Sequence, residues 1–335
     1  MTPAEVSATA RWILAVQRAD GAIPWDDGGK LDPWNHVEAA MGLDAAGHHA
    51  EAAAALRWLA ERQRPDGSFA TAYQDGLVTD PHGDSNFTAY LAVGLRHHLR
   101  HTGNLALARE LWPVVRAAMA FVLDLQRPDG AIGWHRRPDG SACELALRAG
   151  CASIHHALRS AALLGQRLGE PTADLSAAAD RLRAALLDAT LFLPKPHSMD
   201  WYYPVLGGAV TGAAARAWLI TDWHRFVVPG LGVRCVHDQP WTTGGETAEL
   251  ALTLAVQGES ALAGALLRDL ARLRCPDGGY WTGYQFANRV LWPDERTTWT
   301  AGAVLLAAAA LAGDRATLGT FTPVPADKEA LCASS

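Results

Sequence analysis

The chain has 335 residues, with 29 basic and 35 acidic side chains for a net charge of −6, and 49% of it is hydrophobic. That balance excludes a nucleic-acid binder built on a basic stripe, and the apolar share excludes a disordered chain. The richest apolar run, 301–312, is shorter than the roughly 18 residues of a membrane span.

The first residues, Met1-Thr2-Pro3-Ala4-Glu5, show neither a basic n-region nor an apolar h-region, so a cytoplasmic location is expected. Cys143, Cys151, Cys235, Cys275 and Cys332 are scattered without C-x-x-C spacing. Reduced thiols are expected, without a disulfide framework or a zinc site.

In chain order, helical stretches at 6–18, 50–64, 105–127 and 259–274 each run into a related turn. The turns are Gln17-Arg18-Ala19-Asp20-Gly21, Gln63-Arg64-Pro65-Asp66-Gly67, Gln126-Arg127-Pro128-Asp129-Gly130 and Arg274-Cys275-Pro276-Asp277-Gly278. Proline cannot continue a helix, and Asp-Gly supplies the bend. An aromatic follows each turn: Trp25, Phe69, Trp134 or Trp281. Second, more apolar helices then start near Pro33, Asn86, Ser153, Asp200, Glu246 and Thr298. The loops before the fourth and fifth of these, 187–196 and 226–232, carry Pro and Gly in place of the turn motif. Six hairpins with polar-faced outer helices and apolar inner ones predict an all-α fold, an (α/α)6 toroid over 1–319. A closed ring needs no capping repeats, unlike an open solenoid. Residues 320–335 read as a loosely ordered tail.

The Q-x-x-D-G-x-x-W turns resemble the repeat of squalene-hopene cyclases and protein prenyltransferases, and the six-hairpin toroids of family 15 glucoamylase-like hydrolases. Three stretches are more specific: Asp32-Pro33-Trp34-Asn35-His36-Val37-Glu38, Ser198-Met199-Asp200-Trp201-Tyr202-Tyr203-Pro204, and Trp281-Thr282-Gly283-Tyr284 with Thr297-Thr298-Trp299. Together they resemble actinobacterial proteins labelled prenyltransferase- or squalene-cyclase-like. Within that set the chain resembles the mycobacterial hydrolases of methylmannose polysaccharides, which are cytoplasmic α-1,4-linked mannose polymers. The terpenoid reading lacks its chemistry here. There is no Asp-x-Asp-Asp acid, no Asp-rich diphosphate motif, and no Asp-x-Cys with a partner His.

In such a toroid the inner helices run one way and their N-termini open on one face. Asp32, Asn35, His36, Glu38, Asp84, Asn86, Asp200, Glu246 and Glu249 all precede or open inner helices. Asp32, Asp84 and Asp200 also stand where N-cap carboxylates belong. Trp34, Trp201, Tyr202, Trp241, Trp281, Tyr284 and Trp299 occupy the same loops and first turns. Indole faces suit stacking on a pyranose, although several of them will simply pack the turns. Glycoside hydrolysis needs two carboxyls of different pKa. The pair expected is Glu246 and Asp32, with Asp84 or Asp200 as replacements, and which is acid and which base stays open. The resemblance implies inversion, with carboxyls roughly 6.5–9.5 Å apart. The partner expected is an oligosaccharide or polysaccharide, with no cofactor and no metal. The alternatives are a terpenoid cyclase or prenyltransferase-like enzyme and a non-catalytic glycan-binding toroid. His48-His49, His97-His98 and His155-His156 are adjacent on helices, point about 100° apart, and read as solvated or core residues.

Overall fold

A computed structural model describes residues 1–322 as six helical pairs followed by one short helix. The first three pairs are α1 (Pro3–Val16) with α2 (Pro33–Ala45), α3 (His49–Ala60) with α4 (Ser85–Ala89) and its continuation α5 (Leu91–Thr102), and α6 (Leu105–Asp124) with α7 (Arg148–Leu168). The next are α8 (Ala173–Leu186) with α9 (Met199–Leu206), α10 (Gly212–Phe226) with α11 (Gly244–Val256), and α12 (Ser260–Asp269) with α13 (Thr298–Leu311). The second member of each pair is the inner one. Thus α2 packs on α5, α5 on α7, α7 on α9, α9 on α11 and α11 on α13, and α13 returns to α2. This is the expected all-α (α/α)6 toroid.

Five inner helices start within two residues of the expected positions. The third begins at Arg148 instead of near Ser153, because Leu147 precedes it without a capping side chain and leaves no signal to read. The last helix, α14 (Arg315–Phe321), lies against α5 and α13, so the boundary expected at 319 falls inside a helix. The rest of the expected tail lies outside the described residues.

The repeated turns are clasps between neighbouring outer helices. Gln17 Nε2 donates to Gly21 O of its own turn and to Glu51 O of α3 (3.2 and 3.0 Å). Gln63 does the same to Gly67 O and to Val114 O of α6 (2.9 and 2.7 Å). Gln126 repeats it with Gly130 O and Ala178 O of α8 (3.1 and 3.0 Å). In the fourth turn Arg274 replaces Gln and pairs with Glu5 of α1 (3.7 Å), carrying the clasp across the chain ends. Gly21, Gly67, Gly130 and Gly278 have positive φ, and a Cβ on any of them would strike the next outer helix within 2.6 Å. The motif that suggested a cyclase is therefore architecture.

The mouth loops, expected as irregular, hold short antiparallel strands of two to four residues that carry too little alternation to be read. β1 (Lys30–Leu31), β2 (Ala72–Gln74) and β3 (Leu77–Asp80) form one sheet, and β4 (Gly83–Asp84) pairs with β5 (His135–Arg136). β6 (Val227–Val228), β7 (Gly232–Arg234), β8 (Trp241–Thr243), β9 (Gly283–Gln285) and β10 (Val290–Leu291) form a five-stranded sheet in the order 10-9-8-7-6. Each sheet joins the loops of successive hairpins.

The ring closes where α13 meets α2, through glycines. A Cβ on Gly42 would lie 2.6 Å from Gly302 Cα, and one on Gly302 would lie 2.8 Å from Ala39 Cα. Gly42→Ala should therefore destabilise the protein by about 1–3 kcal/mol, the usual cost of overpacking. Gly264→Ala, whose Cβ would meet nothing nearer than 3.4 Å, should hold or raise stability. Thermal unfolding of the two variants checks this, and equal midpoints would refute the closure argument.

Candidate active site

Pro33 fixes φ at the first position of α2 and gives up an N–H that would have no helical partner there, which leaves Asp32 as the N-cap. Asp32 Oδ1 accepts from the Asn35 N–H (2.9 Å), and Oδ2 accepts from Trp25 Nε1 and Asn35 Nδ2 (both 2.7 Å). Asp84 repeats the arrangement one hairpin on. Its Oδ1 accepts from the Phe87 N–H (3.0 Å) and its Oδ2 from Trp134 Nε1 (2.8 Å). The capping reading is thus correct for both, and each cap also holds an indole delivered by a turn-derived loop.

Asp32 and Asp84 line a cavity of about 400 Å³ at the N-terminal ends of the inner helices. Trp25, Trp34, Asn35, Asn86, Trp134 and Trp299 share its wall, and Phe87, Ile132, Leu147, Ile154 and Met199 form an apolar part. Trp34 and Trp299 meet across the α2–α13 seam with ring centroids 5.7 Å apart. Burial pushes Asp32 up to about 6, against the opposing hydrogen bonds from Asn35 and Trp25. Burial does the same to Asp84, also to about 6, with the charge of Asp32 adding to it.

Glu246, in the first turn of α11, is 5% exposed and is not among the residues that line this cavity; its neighbour Gly245 packs on Trp299 of the wall. Gly245 makes that position possible, since a Cβ there would meet the Trp299 ring at 2.6 Å. Glu246 Oε2 is buried without a protein partner, as are Trp34 Nε1, Trp299 Nε1 and Asn86 Oδ1. A buried polar atom left unpaired costs about 1–3 kcal/mol. Three of them, on Trp34, Asn86 and Trp299, belong to the cavity wall and form a constellation that a polyhydroxylated ligand would complete. No group of three or more His, Cys, Asp or Glu arranged to hold a metal is found among the described residues.

Several expected ligands are spent elsewhere. His36 is buried, with Nδ1 accepting from the Ile23 N–H (3.1 Å) and Nε2 donating to Ala55 O (2.8 Å). Glu38, Glu249 and Tyr202 form a deeper layer. Tyr90 donates to Glu38 Oε2 and Tyr203 to Glu249 Oε1 (both 2.5 Å), and Tyr202 also donates to Glu249. Trp34 covers this layer, 5.5 Å from Tyr90 and 6.0 Å from Tyr203. Burial pushes Glu38 up to about 7; burial and then the Glu38 charge push Glu249 well above the carboxylate range.

Asp200 is not an N-cap of its own helix. It sits in the first turn of α9 and accepts from the Ala149 N–H of α7 (2.9 Å). Trp201 stacks on Phe226 at 5.3 Å. Trp241 donates to Trp292 O (2.9 Å), Trp281 packs on the core beneath α1 and α13, and the Arg272 guanidinium lies 4.9 Å from the Tyr284 ring. None of these reaches the wall of the cavity. The apolar wall residues Phe87, Ile132, Leu147 and Ile154 carry no sequence signal that separates them from core.

No family model matches the chain. It is 46% identical over 326 residues to the MMP endo-(1,4)-3-O-methyl-alpha-D-mannosidase of Mycolicibacterium hassiacum, covering 97% of this chain and 90% of that protein. A solved glycosidase variant superposes with TM-score 0.75 at 18% identity, covering 96% of this chain and 97% of its own. The GH63 mannosylglycerate hydrolase of Thermus thermophilus, solved with glucose, gives 0.70 at 13% identity, covering 90% and 99%. The two structures share the toroid.

The raised carboxyls make stability depend on pH. Their folded pKa of about 6 lies above the ordinary 3.8, so the folded state binds more protons between those values. Their stabilising share is complete below about 3.8 and is lost as pH rises through about 6. Asparagine caps a helix as well as aspartate does, so Asp32→Asn should raise the unfolding midpoint at pH 7.5 and leave it nearly unchanged at pH 4. A variant less stable at both pH values would show that the carboxylate is not held against its own ionisation.

Proposed function

We propose that this chain, which belongs to the family of the MMP endo-(1,4)-3-O-methyl-alpha-D-mannosidase and so is a glycoside hydrolase, cuts α-1,4-linked, partly O-methylated mannose chains with Asp32 as acid and Glu246 as base. The observation that carries the assignment is a carboxyl raised to about 6 in an indole-walled cavity. Such a group keeps a useful fraction of its proton near neutral pH and can deliver it to a glycosidic oxygen. Once ionised, it is received by hydrogen bonds already in place from Trp25 and Asn35. Glu246 brings a buried carboxylate oxygen with no protein partner, which suits holding a water and taking its proton. Attack of that water on the anomeric carbon breaks the bond as Asp32 protonates the leaving oxygen, and the configuration inverts.

The wall composition supports the methylated polymer. Trp34, Trp134 and Trp299 offer faces to pyranose C–H groups, and Asn35 and Asn86 offer amides to free hydroxyls. Ile132, Leu147, Ile154 and Met199 give methyl ethers an apolar surface that free hydroxyls would leave unpaired.

Mass spectrometry of products from methylated and plain α-1,4-mannan oligosaccharides, beside maltooligosaccharides, tests this reading. Shortened methylated oligomers are expected first, with inverted anomers at the new ends by NMR. Asp32→Asn and Glu246→Gln should each reduce turnover by about 10²–10⁴, the usual worth of a positioned acid or base. Intact oligomers in every sample would overturn the function. Full activity in Glu246→Gln with loss in Asp84→Asn would transfer the base role to Asp84.

A further inference from the structure

A second cavity of about 350 Å³ lies on the same face, beside the first. The first turns of α7 and α9 divide the two. Ala149 and Met199 face the first cavity, Arg148 and Asp200 face the second, and Lys195 belongs to both walls. The hydrogen bond from the Ala149 N–H to Asp200 Oδ1 ties the dividing turns together.

The chemistry of the second cavity is that of a neutral sugar subsite. Its two carboxylates are both engaged: Asp222 pairs with Arg225 at 2.7 Å, and Asp200 feels Arg148 and Lys195. The Arg148 guanidinium lies 4.7 Å from the half-buried Trp218 ring, which holds it in the wall. Arg148 Nε and His197 Nδ1 are buried without a protein partner. The surplus positive charge is the exposed Lys195 at the junction with the first cavity, and the engaged charges with unpaired donors between them fit the hydroxyls of a sugar.

We infer that this groove binds further mannose units of the same chain, so that a long oligosaccharide spans both cavities across Lys195. The inference rests on the hydrolase reading, and it makes length preference a property of hairpins four and five. Thr221 stands exposed at the rim of the second cavity, outside the catalytic cavity, so Thr221→Trp would fill the groove with little effect on the core.

The test is steady-state hydrolysis of a short and a long methylated mannan oligomer, with calorimetric binding of the long one, in wild type, Thr221→Trp and Lys195→Ala. Thr221→Trp should raise KM about tenfold for the long oligomer and change kcat/KM less than twofold for the short one. Lys195→Ala should weaken long-oligomer binding by about threefold or more at an unchanged unfolding midpoint. If wild type cleaves both and the filled variant keeps the full length preference, the subsite is overturned while the hydrolase stands. No cleavage by wild type, together with equal calorimetric binding in all three proteins, would overturn both.

Discussion

Everything at the mouth depends on α13 closing against α2. The two helices approach until the Gly42 and Gly302 backbones touch, at a separation that no side chain allows. Above that contact Thr298 donates its N–H to Trp25 O and its hydroxyl to Pro24 O, at 2.8 and 2.6 Å. The closure joins residues as far as 274 positions apart and brings Trp299 against Trp34. Asp32 and Glu246 stand on either side of this seam, on α2 and on the helix next to α13. The cavity is thus a product of ring closure, and an open solenoid of the same hairpins would separate its two halves.

The acidic interior is arranged in layers, and each layer solves the problem of buried charge differently. Deep in the barrel, Glu38 and Glu249 receive phenol hydrogens from Tyr90, Tyr202 and Tyr203. Burial raises both carboxyls, and at Glu249 the Glu38 charge adds to it, while the phenol donors oppose the rise. Above it, Asp32 and Asp84 hold indole N–H groups and helix amides, which stabilise the charged form, while burial opposes it. The balance leaves them near 6 instead of strongly shifted either way. Trp34 lies between the layers, packed on Tyr90 and Tyr203 of the deep one and lining the cavity above.

The helical ring was legible because helix period and turn chemistry agree in every hairpin that carries the motif. Asp32 and Asp84 were legible for the same local reason, since a cap precedes Pro33 in one case and Ser85-Asn86 in the other. The burial of His36, Glu38, Glu249 and Tyr202 was not, because polarity at a helix start does not reveal which way the residue faces around the barrel axis. Asp200 shows the point at a single position. Its spacing fits a cap, yet its carboxylate reaches across to cap α7. The apolar wall was hidden for the opposite reason, since Ile132, Leu147 and Ile154 look like any other core residues until the cavity is seen beside them.

Repetition and chemistry occupy different parts of this molecule. Gln17, Gln63 and Gln126 make the same pair of hydrogen bonds in three hairpins, and Arg274 with Glu5 carries the contact over the junction of the chain ends. A clasp that serves nearly equivalent joints has little room to vary. Hairpins four and five lack it, and their loops are free to do other things. One carries Lys195 and Asp200 to the second cavity; the other builds strands β6 to β8, which deliver Gly244, Gly245 and Glu246 to the seam. Where the repeat breaks, the ring lacks the glutamine clasp at two joints and has in its place the loops that wall the second cavity and lead into α11.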